Sequence, residues 1–451
     1  MTQTRADRSA DLTSGPMLQK IILFSIPLAA SSILQLLFNA ADVVVVGRFA
    51  GSTALAAVGS NGSLINLLVN LFVGLSLGAN VVAARCFGAK DEHGIQDTVH
   101  TAVTLGLTSG VLLAVVGFFA ARSLLELMSC PEDVIGLSAL YLKIYFIGMP
   151  MNMLYNFSSA LLRAVGDTKR PLYCLAAAGI INVVLNLVFV IGFSMSVAGV
   201  ALATIISETV SACLVTAMLV REKGALHLDL HKLGFHAGAL VGSQHLTAHL
   251  LSLSNVVIQS AINSFGSTVV AGSSASSNLE GFVYTAMNAF AQAAVTFTSQ
   301  NMGARKYHNL DRVMRNCLLC AVVTGILLGG GAALAGRQLL HFYSSDEAVI
   351  AAGYERLWII CGTYLLCGIM DTLASSLRGL GYSVLPMVVS LIGSCLLRLV
   401  WIATIFQLNR TPFMLYISYP ISWVLTASVH LICLLVVRRK LQKKGQNLQA
   451  A

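Results

Sequence analysis

The sequence predicts an all-α polytopic membrane protein with twelve transmembrane helices in two six-helix bundles, related by a pseudo-two-fold axis along the membrane normal. Three observations predict it. The chain of 451 residues is 56% hydrophobic and only 10% charged, where a soluble protein carries about 25% charged residues. Apolar stretches long enough to cross a bilayer recur along its whole length. The second half also repeats landmarks of the first at one constant offset.

The apolar stretches run over 17–41, 54–81, 97–120, 136–160, 171–193, 197–220, 237–263, 269–299, 311–335, 350–376, 386–408 and 413–437. Each is about twenty residues or more, the length a helix needs to cross roughly 30 Å of hydrocarbon. Transmembrane barrel strands would instead alternate in short segments. The mean hydropathy of +0.79 and the abundance of glycine suit close helix packing in lipid.

The basic residues sort by loop. One side holds Arg5, Arg8 and Lys20, Arg85 and Lys90, and Arg163, Lys169 and Arg170. It also holds Arg221, Lys223 and Lys232, Arg305, Lys306, Arg312 and Arg315, Arg378, and the tail from Arg438 to Lys444. The other side has only Arg48, Arg122, Lys143, Arg337, Arg356 and Arg410. The positive-inside rule then places both termini in the cytoplasm, which requires an even number of spans. It also accounts for the net charge of +9 without a nucleic-acid partner. The expected organisation is a tail over 1–16, a first bundle over 17–220, a linker over 221–236, a second bundle over 237–437 and a basic tail over 438–451.

The repeat rests on three matches. Gly51-Ser52-Thr53 recurs as Gly266-Ser267-Thr268, and Gly88-Ala89-Lys90 as Gly303-Ala304-Arg305. Arg163, Gly166 and Pro171 recur as Arg378, Gly381 and Pro386. Two halves with the same topology are a transporter pattern, with sites within the halves or where they meet. No phosphate-binding G-x-x-x-x-G-K-[ST], H-E-x-x-H or G-x-S-x-G occurs, so an enzyme is not expected and energy must come from an ion gradient. No cofactor is expected. Cys317 and Cys320 form a C-x-x-C within a span and read as small buried residues.

Polar groups inside spans mark the candidate site. Asp42 follows a long apolar run and shares a helix face with Gln35 and Asn39. An ionised Asp in mid-membrane costs about 2.5–3.5 kcal/mol, so it should face a cavity or a partner. It reads as a titrating or cation-binding group, or as a structural partner of Arg48. Asn182 and Asn186 are one turn apart, as are Asn255, Gln259 and Asn263. Glu280 opens a polar stripe with Tyr284. Asp371 and Glu208 are lone acids, serving either the cavity or a neighbouring helix, and Arg398 is expected to pair with an acid or a carbonyl. Pro27 and Pro150 interrupt spans, Pro27 being a hinge candidate or a static kink.

Taken together, these features resemble the multidrug and toxic compound extrusion (MATE) family. The resemblance rests on the aspartate near the end of the first span, Gly88-Ala89-Lys90, and LLRAVGDTKRP from Leu161 to Pro171. SQNMGAR from Ser299 to Arg305 and SLRGLGYSVLP from Ser376 to Pro386 extend it into the second half. It implies Na+- or H+-coupled efflux of diverse, often cationic, organic compounds by a monomer in the bacterial cytoplasmic membrane. It implies a cation site at Asp42, Asn182, Asn186 and Thr204, with Asn186 where prokaryotic relatives carry a second aspartate. Gln35, Asn39, Asn255, Gln259, Glu280, Tyr284 and Asp371 are then the substrate-binding candidates. The alternative within the same superfamily is a flippase for a lipid-linked saccharide, which would need an arginine-rich cavity for a pyrophosphate.

Overall fold

The computed structural model describes residues 11–50, 52–127, 132–234, 258, 261–262 and 264–450. Nearly all of them are helical. Of the expected spans, 237–263 lies almost wholly outside the described residues, together with Asn255 and Gln259. By length and composition, seven described helices can cross a membrane, and two bent pairs can each form one more span.

The chain divides into two compact units. Unit 1 comprises Met1–Asp11 and Ala30–Gly242, and unit 2 comprises Leu12–Ala29 and Ser243–Ala451. The division falls inside the first helix, α1 (Met17–Phe49), two residues past Pro27. The helix runs on through Pro27 without a break.

Unit 1 continues with α2 (Ser52–Ala89), α3 (Glu92–Leu127), α4 (Glu132–Ile147), α5 (Met149–Ala164), α6 (Lys169–Leu187) and α7 (Ser196–Val220). The short helix α5 is the hub, packing against α2, α3 and α7. Its apolar face, with Met153, Phe157, Leu161 and Leu162 all fully buried, builds two of the hydrophobic clusters of the unit. α4 and α5 meet at a 49° bend at Gly148.

Unit 2 contains α8 (Ser267–Gly303), α9 (Leu310–Thr324), α10 (Glu347–Gly362), α11 (Tyr364–Gly379), α12 (Val384–Ser390), α13 (Leu397–Ala403) and α14 (Ser418–Ala450). α10 and α11 bend by 44° at Thr363, the repeat counterpart of Gly148. Pro150 accompanies the first bend, but its counterpart Leu365 is not a proline, so proline is not the shared cause. The shared feature is a glycine from the neighbouring helix. A Cβ on Gly110 would lie 2.4 Å from Pro150 Cα, and one on Gly325 would lie 2.8 Å from Leu365 Cα. Each glycine lets two backbones touch at the bend.

Two of the three recurring sequence landmarks turn out to be helix C-caps, and Gly266 of the third is a helix N-cap. Asp91 N donates to Cys86 O at 3.0 Å and Lys90 N to Phe87 O at 3.1 Å. Lys306 N to Asn301 O at 2.9 Å and Arg305 N to Met302 O at 3.1 Å repeat the pattern. The same pair of bonds closes at Gly166 and at Gly381. All four are Schellman motifs, which require a left-handed residue just past the helix. Lys90 and Arg305 adopt φ of 58° and 56°, and Gly166 and Gly381 adopt 88° and 95°.

The segment 11–13, expected to belong to a free tail, is tied into unit 2. Leu12 N donates to Gln300 Oε1 at 3.3 Å, and Asn301 and Asn309 donate side-chain amides to Leu12 O and Thr13 O at 3.3 and 2.9 Å. Lys306 Nζ reaches Thr13 Oγ1 at 2.8 Å. Gln300 and Asn301 of the Ser299–Arg305 motif, with Lys306 and Asn309 just after it, therefore hold the chain just before α1.

The caps give stability changes of opposite sign. Gly166→Val and Gly381→Val should each cost about 1–3 kcal/mol by forcing a β-branched residue into positive φ. Lys90→Gly should stabilise by up to about 1 kcal/mol. Thermal unfolding of the detergent-purified variants measures both.

Candidate functional site

Asp42 is buried, at 6% exposure, in the last third of α1. Three side chains from two other helices of unit 1 complete its surroundings. Asn186 Nδ2 donates a short hydrogen bond to Asp42 Oδ1. Thr204 Oγ1 lies 3.3 Å from Asp42 Oδ2. Asn186 Nδ2 is also 3.2 Å from Asn182 Oδ1, and Asn182 Nδ2 is 3.5 Å from Thr204 Oγ1. The four residues read as one cluster in the sequence are one hydrogen-bonded ring in space.

Local structure puts them there. Asn182 and Asn186 are successive turns of α6 on one face. A π-helical turn, Val188–Gly192, follows at once and widens the helix at the site. Gly179 lets α1 approach, since a Cβ there would fall 1.8 Å from Phe38 Cε2. Thr204 also back-bonds to Val200 O at 3.0 Å. Its single proton serves one acceptor at a time, so the hydroxyl can offer Asp42 a donor or offer an ion a lone pair.

One atom of the ring is unsatisfied. Asn186 Oδ1 is buried and has no hydrogen-bond partner. A buried polar atom without a partner costs about 1–3 kcal/mol. Turning the amide about χ2 would bring that oxygen beside the Asp42 carboxylate. There it would repel a bare anion and welcome a proton or a metal cation.

A second polar chain lies one turn along α7. Glu208 Oε1 accepts from Asn152 Nδ2 at 2.8 Å, and Asn152 Oδ1 accepts from Asn156 Nδ2 at 3.0 Å. Glu208 Oε2 is buried without a partner. The sequence reading named Glu208 but missed Asn152, whose signal was the one-turn spacing to Asn156 that also marks Asn182 and Asn186.

Gln35 and Asn39 share a side of α1 with Asp42 but are exposed and stand outside its hydrogen bonds. Arg48 is exposed and makes no ion pair with Asp42. In unit 2, Glu280 is held by Arg356 through Nε at 2.7 Å and Nη2 at 2.9 Å, both residues being buried. Ser273 and Ser276 complete the pair at 2.7 and 3.0 Å. Glu280 is thus neutralised internally rather than free to bind a cationic substrate. Asp371 lies beside Tyr284 and Arg378, and Tyr284 is 38% exposed. Arg398, expected to pair with an acid or a carbonyl, instead bonds a serine hydroxyl and faces aromatic rings. Among the described residues, no three His, Cys, Asp or Glu side chains converge as a metal site.

A family model, MatE, matches residues 27–188 and 245–404 of the chain. The chain is 28% identical over 389 residues to a probable multidrug resistance protein, YoeA, of Bacillus subtilis (strain 168), covering 82% of each. A second protein of that strain, the probable multidrug resistance protein YpnP, is 28% identical over 405 residues, 87% of this chain and 89% of its own. A MATE transporter crystallised with MaL6 superposes with a TM-score of 0.87 at 21% identity, over 97% of this chain and 99% of the other. That likeness establishes the all-α polytopic fold of these transporters.

The Glu280–Arg356 pair gives a double-mutant test. Arg356→Met alone should cost about 3–5 kcal/mol by stranding a buried carboxylate. Glu280→Leu combined with Arg356→Met should recover most of that loss, read by thermal unfolding of the purified protein.

Proposed function

The chain belongs to the MatE family, a family of transporters rather than enzymes, and from that membership we propose a secondary active exporter of drugs or other organic compounds. It works by antiport with H+ or Na+, through alternating access, in the bacterial cytoplasmic membrane. The observation that carries this reading is the ring around Asp42. A buried carboxylate with two amides, a hydroxyl and an unpartnered amide oxygen beside it is built to exist in two charge states.

In one state Asp42 is ionised and accepts from Asn186 and Thr204, the contacts that this structure contains. In the other a cation is bound. A proton would sit on Asp42 and donate to the turned Asn186 Oδ1. A sodium ion would collect the Asp42 carboxylate with the oxygens of Asn182, Asn186 and Thr204, since hard cations take carboxylate, amide and hydroxyl oxygens. Each neutralises the charge and removes the need for the donors that tie α1 to α6 and α7.

α1 is the element that would carry the change. Its first turns, with Ile21, Phe24 and Leu28, pack in unit 2 against Ala293 and Phe297. Its last turns, with Val45 and Val46, pack in unit 1. Pro27 removes one helix hydrogen bond near the point where the assignment changes, and we assign it the hinge. A cation and a substrate that favour different occupancy states then drive each other across the membrane. The flippase reading calls for cationic side chains around a pyrophosphate, whereas the polar interior described around Asp42 and Glu208 consists of acids, amides and hydroxyls.

Two substitutions test this. Asp42→Asn should lower gradient-driven dye efflux from proteoliposomes at least about tenfold, the loss expected when a coupling interaction of 1.4 kcal/mol or more disappears. The protein should remain folded by size-exclusion profile. Undiminished efflux would refute the role of Asp42. Asn186→Asp places two carboxylates in hydrogen-bond contact, which then require a cation between them. Stimulation of efflux by Na+ should become stronger in that variant than in the parent.

A further inference from the structure

Arg398 is a buried guanidinium with no carboxylate partner among the described residues. It is 7% exposed, on α13, immediately after the π-helical turn Leu391–Leu396. Its Nε donates to Ser422 Oγ at 2.9 Å. The guanidinium lies over the Tyr419 ring at 4.2 Å and 6.0 Å from the Trp423 ring. Among the described residues, neither Nη atom has a hydrogen-bond acceptor.

The acids of unit 2 are engaged elsewhere. Glu280 holds Arg356, Asp371 lies beside Tyr284 and Arg378, and Glu355 neighbours Tyr416. The ionisable groups that surround Arg398 are the phenols of Tyr419 and Tyr364 and the thiols of Cys367 and Cys395. A cation–π contact of this kind contributes about 2 kcal/mol when desolvated, well short of the cost of a buried, uncompensated charge. The described neighbours therefore compensate the guanidinium charge only in part.

The aromatic wall beside it is ordered. Tyr364 stacks on Trp423 with centroids 5.5 Å apart and planes at 25°, and Tyr419 meets Trp423 edge-on at 5.9 Å. Tyr284, partly exposed, extends the wall from Tyr364 at 6.5 Å. π-helical turns inside α-helices are frequent at functional sites.

The repeat relates this cluster to the Asp42 ring. At the offset that links Gly166 to Gly381, Thr204 and Glu208 of α7 correspond to Tyr419 and Trp423. Arg398 corresponds to Val183, next to Asn182. Equivalent helices, though with only the Thr204/Tyr419 position shared with the ring, thus carry an acidic, hydrogen-bonding centre in unit 1 and a cationic, aromatic centre in unit 2.

We propose that Arg398, Ser422, Tyr419 and Tyr284 form a substrate subsite for a planar aromatic anion, its carboxylate on the Arg398 Nη atoms and its ring against Tyr419 and Tyr284, the accessible members of the aromatic wall. A planar fork of N–H donors suits a carboxylate, and stacked aromatics suit a flat ring. The proposal rests on the transporter reading above and adds to it the charge of one substrate class.

The test uses two dyes with one xanthene skeleton and opposite charge, fluorescein and rhodamine 123. Binding to the full-length protein in lipid nanodiscs is followed by fluorescence anisotropy. The parent should bind fluorescein, and Arg398→Gln should weaken that binding at least about tenfold, the effect of a lost charge-assisted bond. Rhodamine 123 binding should be unchanged. Arg398→Lys, which keeps the charge but loses the fork, should fall between, and it serves if the glutamine variant does not fold. On the parent, benzoate should displace fluorescein and benzamide should not. Equal fluorescein binding by parent and variant overturns the proposal, as do equal losses for both dyes or a parent that binds rhodamine 123 alone. Gradient-driven rhodamine 123 efflux is measured alongside. Its absence from the parent would refute the transporter reading, whereas the binding arms judge the subsite.

Discussion

A carboxylate inside a membrane span must find donors or a cation, and much of unit 1 can be understood from that requirement. Asp42 finds Asn186 and Thr204. Their helices must then stand close to α1, and Gly179 beside Phe38 supplies the room. The π-helical turn after Asn186 and the back-bonded Thr204 belong to the same solution. The ring satisfies the anion but leaves Asn186 Oδ1 without a partner, so the arrangement is complete only for one charge state. That imperfection is the ground for the proposed switch.

The two units solve the backbone problem alike and the polar problem differently. The Schellman caps, the bends at Gly148 and Thr363 and the glycine contacts that accompany them recur at one offset. The polar groups of the two centres mostly do not recur. Where unit 1 has Thr204 and Glu208, unit 2 has Tyr419 and Trp423, and Tyr141 in unit 1 faces the place of Arg356 in the alignment. Duplicated scaffolds keep what packing dictates and are free to change what ligands dictate.

The same distinction governs how much could be read in advance. Span positions and the repeat were legible because membrane length and helix caps leave strong local signatures in the chain. Asp42, Asn182, Asn186 and Thr204 were legible as a group only through the resemblance, and three of them as isolated polar residues in apolar runs. Partners of charged side chains were not legible, because pairing depends on which helices become neighbours. Glu280 looked free and is bound to Arg356; Arg398 looked paired with an acid or a carbonyl and, among the described residues, bonds a serine hydroxyl instead. The break at Thr363 left only Gly362 as a local mark, since its close backbone contact is with Gly325 on another helix.

The claim at the centre of this account is that Asp42 changes its charge partner when a coupling cation binds. Infrared difference spectroscopy of the purified protein in lipid, stepping pH or Na+ concentration, reads the carboxyl bands directly. The account predicts that one step converts or shifts a buried carboxylate band, and that this change is missing in Asp42→Asn. A spectrum that responds identically in the parent and in Asp42→Asn would contradict it.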